Sequence, residues 1–118
     1  MLRIALYDDN VSRRESLNAL ISLSQNMECV GTYGNCANNL KNVATDKPDL
    51  ILMDIEMPGL NGIQGVKLIK SKFPQVHVLM QTIFHDENNI FDAICAGASG
   101  YILKSTTPAE YITAIKDV

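Results

Sequence analysis

Five short apolar runs recur along the chain at similar spacing: RIALY (3–7), ECVGTY (28–33), DLILM (49–53), HVLMQ (77–81) and GYIL (100–103). Each has the length of a strand, and a run nearly continuous in apolar residues suits a parallel sheet covered on both faces. Between the runs, apolar residues recur at helical spacing: Leu17, Leu20 and Ile21; Leu40, Val43 and Ala44; Ile63, Val66 and Ile69; Ile90, Phe91 and Ile94. Helix starts are signed as well. Ser12 and Glu15 predict a capping box, and TPAE predicts Thr107 as N-cap, Pro108 at the first helical position and Glu110 reaching back. The βα alternation predicts an α/β fold: five βα units forming a doubly wound, five-stranded parallel sheet with helices on both faces.

Size allows one such unit. The 118 residues, 47% of them hydrophobic, suffice for one domain spanning 1–118 with its own core. A net charge of −3 lacks the basic stripe that phosphate contacts demand, which argues against direct DNA binding by this segment. Cys29, Cys36 and Cys95 show no CxxC spacing and cannot all pair, which favours a reducing compartment and idle or buried thiols. Polar residues interrupt every apolar run well before the roughly 18 residues of a membrane span. A soluble, cytoplasmic protein without a membrane partner is expected.

In doubly wound sheets, ligands bind outside the carboxyl ends of the strands, where the winding direction reverses. The polar residues that end the runs are Asp8 and Asp9 after the first, Asp54 after the third, Thr82 after the fourth and Lys104 after the fifth. The second run ends in Gly34 and Asn35, which predict only a turn. Taken singly, an aspartate after a strand is commonly a turn or cap residue, a lysine there a solvated charge and a threonine a cap. Their convergence on one edge favours a common site instead. Three carboxylates gathered there repel one another unless a cation sits among them, and oxygen ligands completed by water and phosphate describe magnesium rather than zinc. A carboxylate beside bound magnesium can attack phosphorus, with Lys104 supplying charge and Thr82 a hydroxyl for the transferred phosphoryl group.

These residues resemble the receiver domain of two-component response regulators, and the likeness covers the whole chain. YDDN (7–10) is similar to the family's acidic pair, LMDIEMPGLNG (52–62) to its phosphoacceptor segment, QTIF (81–84) to its hydroxyl-bearing strand end, and GASGYILK (97–104) to its switch aromatic and lysine. The last segment and the Thr-Pro-capped final helix resemble receivers joined to a LuxR-type helix-turn-helix output domain. The resemblance implies a CheY-like, flavodoxin-like (βα)5 fold and a signalling role rather than a conventional enzyme. It implies that Asp54 accepts a phosphoryl group from a sensor histidine kinase, that Asp9 ligates magnesium directly, that Asp8 acts through water and that the Glu56 backbone carbonyl completes the protein ligands. Lys104 would pair with Asp54 and then with its phosphate, Thr82 would move onto a phosphate oxygen, and Tyr101 would turn inward. Without the family, Tyr101 reads as a core aromatic. Homodimerisation is a further expectation, and DNA would be reached only through an output domain beyond Val118, whose abrupt helix end suggests a piece of a longer protein.

The chain also departs from the pattern. Ser105 stands where many receivers carry proline after the lysine, so a cis peptide is not expected there, and Ile83 is bulkier than the small residue common after the threonine. His77 reads as a strand residue and His85 as a loop residue, neither catalytic, and Pro58 and Gly59 as turn residues. Among other functions, an aspartyl phosphohydrolase of the haloacid-dehalogenase type would need DxD rather than adjacent aspartates. A flavodoxin-like carrier would need a Ser/Thr/Gly-rich phosphate loop after the first strand. The remaining alternatives are a receiver that binds partners without phosphorylation and a stand-alone receiver.

Overall fold

The computed structural model describes residues 1–55, 57, 61–83 and 87–118, without the side chains of 87–89. The chain alternates β1 (Leu2–Tyr7), α1 (Val11–Leu23), β2 (Met27–Tyr33), α2 (Asn39–Asp46), β3 (Leu50–Asp54), α3 (Gly62–Lys72), β4 (His77–Thr82), α4 (Glu87–Cys95), β5 (Gly100–Leu103) and α5 (Pro108–Asp117). All strand pairs are parallel, in the order β2-β1-β3-β4-β5. The winding direction therefore reverses between β1 and β3, and the expected doubly wound sheet is what the chain forms.

The two-residue period of a strand divides the interior in two. Ile4, Leu6, Leu50, Leu52, Leu79 and Ile102 meet Leu17 and Ile21 of α1 and Tyr111 and Ile115 of α5. Ala5, Tyr7, Ile51, Met53, Val78 and Met80 meet Val43 of α2, Val66 and Ile69 of α3 and Ala93 of α4. Every residue of β3 is buried, because helices cover both of its faces.

Register aligns the functional edge. Tyr7 lies opposite Met53, Asp54 opposite Gln81, and Thr82 opposite Leu103. The residues just past the strand ends, Asp8 and Lys104, are thus brought beside Asp54 and Thr82. The Lys104 amide donates to the Thr82 carbonyl at 2.8 Å, which extends the β4–β5 ladder by one step.

Two local expectations are corrected. The first helix is capped by Asn10, whose side chain accepts the Arg13 amide at 3.0 Å, not by a Ser12–Glu15 box. Asn10 is itself held by its amide donating to Asp8 Oδ1 at 2.9 Å, so the cap forms two residues earlier than its sequence signature. In α4 the spacing located a helix but not its buried side. Phe91 is 67% exposed and Ile94 is exposed, while the small Ala93 faces the core. The last helix starts where predicted, with Thr107 accepting the Glu110 amide and Pro108 in the first turn, but the Glu110 side chain does not reach back to complete a capping box. His77 is an exposed strand residue within 3.3 Å of Ser99, and no cis peptide occurs among the described residues. Pro58, Gly59 and His85 lie outside the described residues.

The start of α3 is set by Asn61, which forms a complete capping box with Gln64. Gly62 follows, and a β-carbon there would stand 2.1 Å from the Asp54 carbonyl oxygen and 2.9 Å from Ile55 Cα. These are backbone atoms of the strand that presents Asp54, so the clash cannot be relieved by a rotamer. Gly62→Ala should therefore cost about 1–3 kcal/mol, as overpacking does, read as a lower urea midpoint with unchanged slope. A variant as stable as the parent would show that the α3–β3 approach is looser than this.

Candidate functional site

Asp8, Asp9 and Asp54 converge at the carboxyl ends of β1 and β3, with one oxygen from each lying within 4.8 Å of the others. Asp8 is fully buried and Asp54 is 1% exposed, while Asp9 faces solvent. Burying two carboxylates so close together is costly unless cations neutralise them. Lys104 Nζ, reaching in from the end of β5, lies 2.7 Å from Asp54 Oδ2 and 3.9 Å from Asp8 Oδ2. Asp8 Oδ1 accepts the Asn10 amide, and the Asp8 carbonyl accepts Arg14 Nη1 at 2.5 Å, which fixes the backbone after β1. Asp8 Oδ2 has no hydrogen-bond donor. Such a buried, charge-bearing oxygen beside two other carboxylates could serve a hard divalent cation.

With the architecture and acidic edge in place, the likeness to known proteins is decisive. Residues 4–116 match the model of the response regulator receiver domain. The chain belongs to the response regulator receiver family. It is 38% identical over 118 residues to the transcriptional regulatory protein LnrK of Bacillus subtilis (strain 168), covering all of this chain and 54% of that protein. It is 32% identical over 118 residues to the DNA-binding transcriptional activator DevR/DosR of Mycobacterium tuberculosis, with the same coverage. A two-component response regulator of the LuxR family from Aurantimonas sp. SI85-9A1 superposes with a TM-score of 0.91 at 30% identity, over 98% of this chain and 82% of the other. The receiver thus spans about half the length of the curated relatives it matches, which are transcription regulators.

The receiver brings together Asp8, Asp9, Asp54 and Lys104. Thr82 is buried at the end of β4, one step from Lys104 along the backbone ladder. Glu56 lies outside the described residues. Tyr101 is 38% exposed, so it is not the core aromatic that its place in a strand suggested. Ile83 is 57% exposed directly after Thr82. The three cysteines are unpaired, and burial pushes the Cys36 thiol up to about 11, which keeps it protonated and inert at neutral pH.

Sequence reading missed a polar cluster under the acidic edge. Arg13 Nε stands 3.3 Å from Asp8 Oδ2, in ion-pair range but without hydrogen-bond geometry. Its Nη2 donates to the Tyr111 hydroxyl and to Gln81 Oε1, and its Nη1 reaches the Lys104 carbonyl at 3.4 Å. The Tyr111 hydroxyl donates to Gln81 Oε1 at 3.0 Å. Burial raises the Tyr111 phenol above its ordinary value while Arg13 acts in the opposite direction, so the phenol keeps the proton it donates at neutral pH. Gln81 inside an apolar strand run was the available signal, since a fully buried amide requires partners.

The Asp54–Lys104 pair is desolvated enough to matter. Lys104→Met should destabilise the receiver by about 3 kcal/mol, because a buried carboxylate loses its partner, and adding Asp54→Asn should recover most of that loss. A double-mutant cycle in urea measures the coupling. Strictly additive losses would show that the pair contributes nothing of its own.

Proposed function

We propose that this receiver is a phosphorylation-driven switch in a two-component system. Asp54 accepts a phosphoryl group from a phosphohistidine of a sensor histidine kinase. The change is relayed to an output domain that binds DNA. The supporting observation is Asp54 itself: a buried carboxylate at the winding reversal, paired with Lys104 and flanked by Asp8 and Asp9. An Asp54 oxygen attacks phosphorus as the P–N bond to the histidine breaks, and the departing imidazole keeps the electron pair and takes up a proton. Asp8, Asp9 and Asp54 are the residues that would hold magnesium, with the Glu56 carbonyl as a further ligand. Magnesium would supply positive charge against the oxygens of the transferred group.

Each other residue has a part consistent with its place. Lys104, already 2.7 Å from Asp54, would follow the charge onto the new phosphate. The Thr82 hydroxyl would bond a phosphate oxygen, a contact absent before transfer and so able to bias the equilibrium between two states. Tyr101, 38% exposed, would turn further in as Thr82 moves. The receiver also catalyses loss of its own phosphate to water under this reading. Pairing of two receivers and a cytoplasmic setting complete it. No helix among the described residues is long and apolar enough to cross a membrane.

Incubation with acetyl phosphate and magnesium, borohydride trapping and peptide mapping should place the label on Asp54, and Asp54→Asn should abolish it while the melting curve stays cooperative. A label elsewhere would sink the assignment. No label, with only partner capture surviving in Asp54→Asn, would favour an interaction module that works without phosphorylation.

Ile83 adds a rate expectation. Attacking and leaving oxygens lie roughly in line in phosphoryl transfer, and a branched side chain beside that line obstructs a small donor or a water. Being more than half exposed, Ile83 is not core packing, so Ile83→Ala should change stability by less than about 0.5 kcal/mol. Labelling by acetyl phosphate and loss of the label should both accelerate, with magnesium affinity unchanged. Unchanged rates in a stable variant would remove the obstruction from the account.

A further inference from the structure

Arg13 occupies a place that the proposed chemistry does not need. Its guanidinium lies beneath the acidic edge, most of it withdrawn from solvent, and its three nitrogens reach four parts of the fold. Nε faces Asp8 Oδ2, the buried oxygen that has no hydrogen-bond donor. Nη1 faces the Lys104 carbonyl at the end of β5, and Nη2 reaches Gln81 of β4 and Tyr111 of α5. The ring of Tyr111 also lies under the guanidinium, with Cζ 5.6 Å from its centroid. Asn10 fixes the start of this helix by accepting the Arg13 amide, so the side chain is launched from a capped turn rather than a free loop.

The charges at this edge explain the arrangement. Three carboxylates face two cations, Lys104 and Arg13, and Lys104 is committed to Asp54 at 2.7 Å while standing 3.9 Å from Asp8. Arg13 is therefore the cation nearest the Asp8 carboxylate, while Arg14 bonds the Asp8 backbone carbonyl. A divalent cation held by Asp8, directly or through water, would share that carboxylate with Arg13, and two cations at one carboxylate repel. Arg13 must then withdraw, and its withdrawal is felt at Tyr111 and Gln81, both of which accept hydrogen bonds from its Nη2.

We propose that Arg13 is an internal counter-ion that competes with the divalent cation for Asp8 and carries occupancy of the site to α5 through Tyr111 and Gln81. This rests on the reading of the acidic cluster as a magnesium site. The competition lowers resting affinity for the metal, and displacement of Arg13 loosens the hydrogen bonds that tie the end of β4 and the start of α1 to α5. Gln81 is the residue next to Thr82, so the relay runs on the α1–α5 side of the sheet while Thr82 and Met80 face the other side.

Magnesium chloride is titrated into the 118-residue chain while amide shifts are followed by NMR, with Arg13→Met, Arg13→Gln and Tyr111→Phe run in parallel. Both Arg13 variants should bind magnesium at least about five-fold more tightly, as removal of one nearby positive charge demands, and Arg13→Gln keeps a donor for Tyr111 if the methionine is not tolerated. In the parent, shifts at Asp8 and Asp9 should be accompanied by shifts at Tyr111 and Ile115, and Tyr111→Phe should lose most of the latter. Unchanged affinity in both Arg13 variants, or full α5 shifts in Tyr111→Phe, overturns the proposal. Absence of saturable binding in every chain, the Arg13 variants included, instead removes the magnesium reading, and the counter-ion proposal falls with it.

Discussion

The structure depends on the balance of charge around two buried carboxylates. Asp8 and Asp54 are delivered by adjacent parallel strands whose buried residues are apolar, so neither strand can slide or twist to separate them without exposing core. Register makes the repulsion obligatory. The chain meets it with cations drawn from distant parts of the sequence, Lys104 from the end of β5 and Arg13 from the first turn of α1. Those two side chains bind the β4–β5 half of the sheet and the α1–α5 layer to the site. A pair or network of this kind is weak evidence for net stability and stronger evidence for a site meant to change state.

How far the sequence alone reached follows from what each signal encodes. The strands were legible because an uninterrupted apolar run bounded by polar residues has few other uses, and their polar ends were legible because a parallel sheet gathers carboxyl ends on one edge. Asp8, Asp9, Asp54 and Lys104 were found together for that reason. The buried side of α4 was not legible, because Phe91 and Ile94 carry the helical period while the contact is made by Ala93, whose small side chain admits close approach. The first cap was misplaced by two residues because Ser12 has the signature but Asn10 is the residue whose own amide is fixed by Asp8.

The polar cluster escaped for a different reason. Arg13 lies in a helix that reads as ordinary surface, Tyr111 in a helix that reads as amphipathic, and Gln81 in a strand that reads as core. Their association is created by the right-handed crossovers that place α1 and α5 side by side on one face of the sheet. No local pattern encodes that adjacency. Once the sheet order is known, the two-residue period assigns Gln81 to the Leu79 face and so toward Tyr111, and the cluster becomes a consequence of topology.

The two faces of the sheet meet that site through different kinds of contact. On the side of α3 and α4, Thr82 lies two residues after Met80, and Phe91 of α4 is exposed, so its surroundings can alter with little loss of core. On the side of α1 and α5, Arg13, Gln81 and Tyr111 form a buried hydrogen-bonded unit, and low local dielectric makes any missing partner expensive. A change at Thr82 is therefore graded and spread over surface contacts. A change at Asp8 is closer to all-or-none, because Arg13 either faces that carboxylate or must find another partner. Backbone pairing of Lys104 with Thr82 joins the two sides, since Lys104 donates its amide to β4, accepts Arg13 at its carbonyl and holds Asp54 with its side chain. Under the proposed function, one residue would meet both events, and this dual attachment is the physical route by which a change of charge at Asp54 would be felt at Asp8.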